Sequence, residues 1–215
     1  MLKKYDHIMW DWNGTLLNDV DLCVSIINNI LLRINLSPLS KEMYKNIFTF
    51  PVKDYYEKAG IDFTKYSFEV LGQEWIREYE QRRLETKLFP KSIDALDFLK
   101  QNEIDQSILS AYSHENLIDI VRHFQVEQYF KHLAGLDHIY ATSKINLGRD
   151  LAKKLRIDHE RIILIGDTVH DFEVAKEIGV DCLLIASGHQ SKERLQQCNA
   201  PVVDSLDDIY SFLFN

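Results

Sequence analysis

Basic residues are in short supply. Lys and Arg number 25 against 33 Asp and Glu, a formal net charge of 25 − 33 = −8. That balance argues against a nucleic-acid partner, because proteins that bind a phosphate backbone present basic patches. A small anionic substrate stays open, since a metal and a few cations reverse the field locally. Cysteine is scarce as well. Cys23, Cys182 and Cys198 are scattered and show no Cys-x-x-Cys spacing, which points to reduced thiols in a cytoplasmic protein. No apolar run is long enough to span a bilayer. The opening Met1-Leu2-Lys3-Lys4-Tyr5-Asp6 has no signal-peptide apolar region, so neither a membrane nor a secreted location is expected. Internal repeats and low-complexity tracts are missing. So is a Gly-x-Gly-x-x-Gly after the first apolar run, which removes a simple dinucleotide binder. What remains is ordinary: 215 residues, 46% hydrophobic and 27% charged, enough for one good core plus a smaller second unit.

One stretch organises the chain. His7-Ile8-Met9-Trp10-Asp11-Trp12-Asn13-Gly14-Thr15-Leu16 reads as a buried strand that ends in a carboxylate. Asn-Gly then forces a turn, because Gly tolerates positive φ. Asp and Asn also end strands for purely local reasons, by bonding nearby backbone. More distant segments repeat the pattern. Arg161-Ile162-Ile163-Leu164-Ile165 runs into Gly166-Asp167-Thr168-Val169-His170-Asp171. Ser110 closes Ile108-Leu109, and Lys144 opens a helical pattern. Thr168 and Asp171 also have the spacing of a helix capping box, a reading compatible with ligand binding.

Along the chain, strands are expected at about Asp6–Asp11, Asp105–Ser110, Leu133–Leu136, Arg161–Gly166 and Val180–Ala186, with a short one at Val202-Val203. Helices fill the intervals. Ser143 is a candidate cap for a helix over Lys144–Leu155, and Ser40 for one over Lys41–Phe48. From Asn18 to Leu88 the pattern is all helical, with one or two long helices across Thr64–Thr86 and no strand. The expected fold is therefore α/β: a Rossmann-like parallel sheet with helices on both faces (residues 1–17 and 89–215), carrying an inserted α-helical cap at residues 18–88. In such sheets ligands sit outside the carboxyl ends of the strands. That rule alone puts Asp11, Ser110 and Asp167 at one edge, with the insertion placed as a lid.

The ordered set Asp11-x-Asn13-Gly14-Thr15, Ser110, Lys144 and Gly166-Asp167-x-x-x-Asp171 resembles the haloacid dehalogenase-like hydrolase superfamily, in its phosphoglycolate phosphatase and β-phosphoglucomutase-like branch. The resemblance spans nearly the whole chain. It implies a Mg²⁺-dependent phosphatase acting on a small phosphorylated metabolite. Asp11 would be the nucleophile and form an aspartyl-phosphate. Mg²⁺ would be held by Asp11, the backbone carbonyl of Asn13 and Asp167, with Asp171 supporting. Ser110 and Lys144 would bind the phosphoryl group, helped by Thr15 and the amides around Gly14 and Ala111. Lys53 is the first candidate to meet the rest of the substrate, with Lys45 second. Phosphoglycolate is the substrate the resemblance suggests. A metal-free dehalogenase fits the paired Asp167 and Asp171 less well, and a phosphomutase leans on an acid–base group that this chain lacks.

That group is the main departure. The position of Asn13 usually holds a second Asp in these phosphatases, which protonates the leaving oxygen and later activates water. Such help is typically worth ~10²–10⁴-fold, and Asn cannot give it. The alternatives are a slow phosphatase, a phosphate-ligand binder that has lost turnover, or a substitution engineered to trap a complex. Deamidation of the Asn13-Gly14 pair, leaving a fraction with aspartate there, is a further route to activity. His114 and His170 lie near the right strand ends, but ordinary loop or helix-start roles explain them.

Overall fold

The computed structural model describes residues 4–136 and 144–214. The sheet is built outward from strand β1 (His7–Trp10), whose four residues are all buried. It pairs in parallel with β4 (Asp105–Ser113) on one side and β6 (Ile162–Gly166) on the other. With β5 (His132–Leu136), β7 (Asp181–Ile185) and β8 (Val202–Val203) the order is β5-β4-β1-β6-β7-β8, and every pairing is parallel. A parallel sheet covered on both faces needs apolar residues at successive positions, which is why these strands read as continuous runs.

Alternate residues sort onto the two faces. Ile8, Trp10, Ile163 and Ile165 join a core with α5 (Ser92–Gln101), α6 (His114–His123) and α10 (Ile209–Phe214). Met9, Ile162 and Leu164 join another with α7 (Lys144–Leu155) and α8 (Val169–Ile178). A short α9 (Lys192–Leu195) lies between β7 and β8. The expected capping role of Ser143 lies outside the described residues. The strand and helix bounds otherwise match expectation to within a few residues.

Several polar side chains inside the sheet are paired. Trp10 Nε1 donates to Gln106 Oε1 at 3.0 Å, and Gln106 Nε2 donates to the Leu96 carbonyl at 3.0 Å. His7 Nε2 meets Ser107 Oγ at 3.0 Å. Burial pushes this imidazole down to about 4, so it is neutral in the core.

The segment between Asn18 and Leu88 differs from expectation at its ends. Leu17–Asn18 (β2) and Lys87–Leu88 (β3) pair antiparallel, with Leu17 opposite Leu88. Two residues per strand carry no readable alternation, so only the pairing reveals them. Between them lie α1 (Val20–Arg33), α2 (Lys41–Ile47), α3 (Val52–Lys58) and α4 (Phe68–Arg82). Ser40 caps α2 by accepting from Met43 N at 3.1 Å. Ser67 starts α4 in the same way, and a 3₁₀ turn over Arg83–Glu85 completes the long Thr64–Thr86 stretch. These helices bury their own cluster, including Ile26, Ile27, Ile30, Tyr44, Tyr56 and Tyr79.

Replacing Gln106 by Leu leaves the Trp10 Nε1–H without a partner and takes one of two donors from the Leu96 carbonyl, which lies inside α5. An unsatisfied buried group costs about 1–3 kcal/mol, which lowers the melting temperature by roughly 2–12 °C in a chain of this size. Calorimetry of Gln106→Leu checks this. A variant melting with the wild type would show that the pair contributes nothing.

Candidate active site

Asp11 is the first residue beyond β1. Its N–H still donates to the Ile165 carbonyl at 2.8 Å, so the ladder carries the carboxylate to the sheet's C-terminal edge. The chain then folds back on itself. The amides of Thr15, Leu16 and Leu17 all point at the Trp12 carbonyl, at 3.3, 3.0 and 2.9 Å. Gly14 has φ +78°, and a Cβ there would fall 2.3 Å from Asp167 Oδ2 and 2.4 Å from His189 Cδ2. Conformation and space both demand glycine at this point.

Three buried carboxylates converge on the edge. Asp11, Asp167 and Asp171 place oxygens within 4.8 Å of one another. Lys144, at the start of α7, sends Nζ among them, 2.5 Å from Asp11 Oδ1 and 2.6 Å from Asp171 Oδ1. Thr168 caps α8, and its N–H and hydroxyl reach Asp171 Oδ2 at 3.0 and 2.7 Å. The capping box therefore exists, and it aims the other Asp171 oxygen at the cluster. Asp167 Oδ2 accepts from His189 N at 2.6 Å. Gly188 lets that loop approach, because a Cβ there would lie 2.1 Å from the same oxygen.

One ammonium cannot balance three buried carboxylates. Burial, reinforced by Asp171 and Asp167 against the pull of Lys144, pushes Asp11 up to about 8. Burial likewise lifts Asp167 to about 6. Burial works on Asp171 in the same direction, yet Lys144 and the Thr168 hydroxyl hold it below the ordinary range. Burial opposes the charge on Lys144, but Asp11 and Asp171 raise its pKa all the same. The excess negative charge and the all-oxygen donor set suit a hard divalent cation.

The remaining expected residues fall into two groups. Ser110 is buried where the β4–β5 register breaks between Leu109 and Ser113. Its Oγ accepts from Tyr112 N at 3.1 Å, so its own hydrogen can serve another acceptor. Ala111 follows at the same break, half-buried. Thr15 and Gly14 are placed at the cluster but are already engaged. Thr15 Oγ1 donates to Asp167 Oδ1 at 3.1 Å and lies 3.4 Å from Asp11 Oδ2. The Gly14 amide serves the Leu17 carbonyl at 2.8 Å and Asp19 Oδ1 at 3.1 Å. Both residues help to shape the carboxylate site. Lys53 is not brought to the cluster: it is exposed, with its ammonium 5.5 Å from the Phe63 ring centroid. Lys45 does reach the core, donating to the Ala186 carbonyl at 2.9 Å, just past β7.

Asn13 is held by residues that sequence reasoning missed. Its Nδ2 donates to Asp19 Oδ2 at 2.8 Å and to Tyr79 Oη at 2.6 Å. Asp19 is buried and also accepts from the Tyr79 hydroxyl at 2.8 Å. His189 Nε2 lies 3.1 Å from Asp19 Oδ1, and its Nδ1 lies 2.8 Å from Tyr44 Oη. Burial disfavours both charges, but each offsets the cost for the other: Asp19 is held below its ordinary value and His189 rises to about 9. An Asp before a helix reads as a cap, yet Asp19 makes no side-chain cap bond to α1. For His189 the strand-end rule was the available signal, because it follows β7 on the same sheet edge as Asp11.

Among known proteins, residues 8–185 match the family model described as haloacid dehalogenase-like hydrolase. Phosphoglycolate phosphatase 1 of Pseudomonas aeruginosa is 20% identical over 213 residues, covering 94% of this chain and 77% of that protein. A haloacid dehalogenase-like family hydrolase from Streptococcus pneumoniae superposes with a TM-score of 0.79 at 19% identity, over 97% of this chain and 98% of the other. Protein Tyrosine Kinase A of Mycobacterium tuberculosis gives 0.83 at 20% identity, over 99% of each chain. At these identities the structural likenesses establish the fold alone. The family match covers both carboxylate-bearing strand ends, and the chain belongs to the haloacid dehalogenase-like hydrolases.

Proposed function

We propose that this protein is a Mg²⁺-dependent phosphatase of small phosphate monoesters. The observation that carries the reading is the buried Asp11–Asp167–Asp171 cluster around Lys144 at the sheet's C-terminal edge. Asp11, Asp167 and the Asn13 carbonyl would hold Mg²⁺, with Asp171 behind them. Those residues would hold an ion there, and its charge would offset the repulsion between the carboxylates and a phosphate.

The chain's own groups then have definite roles. Lys144 holds Asp11 Oδ1, which leaves Oδ2 as the attacking oxygen. Oδ2 forms a bond to phosphorus while the ester P–O bond breaks, and the leaving oxygen departs with the electron pair. Lys144 and the Ser110 hydroxyl stabilise charge on the phosphoryl oxygens. Water then attacks phosphorus, releasing phosphate and regenerating the Asp11 carboxylate. Asn13 cannot lend a proton to the leaving oxygen, so that proton comes from solvent and substrates with good leaving groups are favoured. The helical segment at residues 18–88 acts as a cap that excludes water during the reaction. The Pseudomonas relative's name makes phosphoglycolate the first metabolite to try. The two donor bonds that fix the Asn13 amide favour a second reading, a phosphate-ligand binder with little turnover.

Phosphate release from p-nitrophenyl phosphate and phosphoglycolate tests the proposal. Activity is expected with Mg²⁺, lost on chelation, absent in Asp11→Asn and reduced ~10²–10³-fold in Lys144→Met. Silence of the wild type on both substrates, with phosphate still bound, would support the binder.

The charge excess gives a separate test. Asp11 has a folded value of about 8 against an ordinary 3.8. Across that window the folded state holds more protons than the unfolded one, so stability falls as pH rises. Metal-free wild type is therefore expected to lose melting temperature between about pH 5 and 8 more steeply than Asp11→Asn. Mg²⁺ is expected to raise the wild-type melting temperature more at the upper end of that range. Scanning fluorimetry across the range reads both effects, and equal slopes in the two proteins would refute the charge argument.

A further inference from the structure

Asn13 and Asp19 form a donor–acceptor pair whose polarity is fixed by what surrounds it. Asp19 Oδ2 receives Asn13 Nδ2 at 2.8 Å and the Tyr79 hydroxyl at 2.8 Å. Asp19 Oδ1 receives the Gly14 amide at 3.1 Å and faces His189 Nε2 at 3.1 Å. The Cys23 thiol approaches Oδ2 at 3.6 Å. Both oxygens are thus surrounded by donors, as a buried carboxylate requires. Tyr79 Oη takes the second Asn13 hydrogen at 2.6 Å and passes its own to Asp19, closing a three-membered ring of bonds. An acceptor-only group at position 13 would set oxygen against oxygen at 2.8 Å and strip Tyr79 of its donor.

We propose that Asp19 is the positioning residue of this site: it fixes the Asn13 amide and the Asn13-Gly14 turn, and it makes asparagine, not aspartate, the residue the pocket accepts at position 13. The turn matters because Gly14 sits directly against Asp167 and His189. A shift in the turn therefore reaches the carboxylate cluster. On this view Asn13 belongs to a pocket built for it, and restoring aspartate at that one position disrupts the network. The catalytic consequence rests on the phosphatase reading; the structural pairing does not.

The test is a double-mutant cycle with Asn13→Asp, Asp19→Asn and the exchanged pair Asn13→Asp/Asp19→Asn. Its first readout is melting temperature of the full-length, metal-free protein. Asn13→Asp is expected to fall by roughly 4–8 °C beside Asp19, the scale of one or two broken buried hydrogen bonds. In the Asp19→Asn background the same change is expected to cost little, because the donor and acceptor have merely traded places. If Asn13→Asp does not fold alone but the exchanged pair does, the pairing is confirmed more strongly. An equal penalty in both backgrounds, or none in either, overturns it.

The second readout is Mg²⁺-dependent release from p-nitrophenyl phosphate. Asn13→Asp alone is expected to show no gain, and the exchanged pair at least a ~10-fold gain in kcat, toward the range for general acid–base help. A gain in Asn13→Asp alone would refute the positioning role. A positive stability cycle with no turnover in any variant would leave the pairing intact and count against the phosphatase reading.

Discussion

The Lys144 ammonium, shared between Asp11 and Asp171, is the contact on which the site depends. Buried charges are tolerated only when paired and hydrogen-bonded. Here three carboxylates meet inside the protein and a single internal cation answers two of them. Their positions are over-determined. The β1 ladder fixes Asp11, the Thr168 cap fixes Asp171, and the Thr15 hydroxyl with the His189 amide fixes Asp167. Removing the lysine would leave a buried excess of like charge, a change of the class that costs ~3–5 kcal/mol. The arrangement is kept, therefore, at the expense of stability, and a divalent cation is the natural complement to the remaining charge.

Much of this was legible because the sheet imposes a simple rule. Continuous apolar runs such as His7–Trp10 and Ile162–Gly166 could only be buried parallel strands, and carboxylates placed after such strands must meet at one edge. Asp11, Ser110 and Asp167 followed from that rule, whereas Asp171 and Lys144 were singled out by the resemblance to the hydrolase family. Thr168 and Asp171 show why a capping pattern and a ligand pattern should not be set against each other. One carboxylate oxygen serves the helix and the other serves the site.

What escaped the sequence has equally physical causes. The β2–β3 ribbon is two residues long on each side, too short for any period to register. Lys53 and Lys45 look alike in sequence, since both are lysines on short helices of the same segment. Only packing places one over Phe63 and the other on the Ala186 carbonyl. Asp19 stands before a helix, where capping is the commonest role for an Asp, so nothing in its position marks it out. Tyr79 and Tyr44 were indistinguishable from the other aromatics of the helical cluster, because what sets them apart is a hydroxyl directed at a charge on another element.

That last feature links the two parts of the molecule. Asp19 lies immediately beyond Leu17–Asn18, where the helical segment leaves the sheet. Its partners come from the Asn13-Gly14 turn, from α4 through Tyr79, and from the loop after β7 through His189, which in turn meets Tyr44 of α2. Further contacts join the segment to the rest of the chain, such as Arg83 with the Asn116 carbonyl and Gln190 with the Phe48 carbonyl. Any rotation of the helices about the ribbon would stretch the Tyr79–Asp19 and Tyr44–His189 bonds together with the Lys45–Ala186 and Gln190–Phe48 ones. The group that fixes Asn13 is the same group that seats the helices, so the geometry of the turn and the position of the segment cannot vary independently. Coupling of this kind needs no long pathway. It needs one buried carboxylate with donors from each moving part.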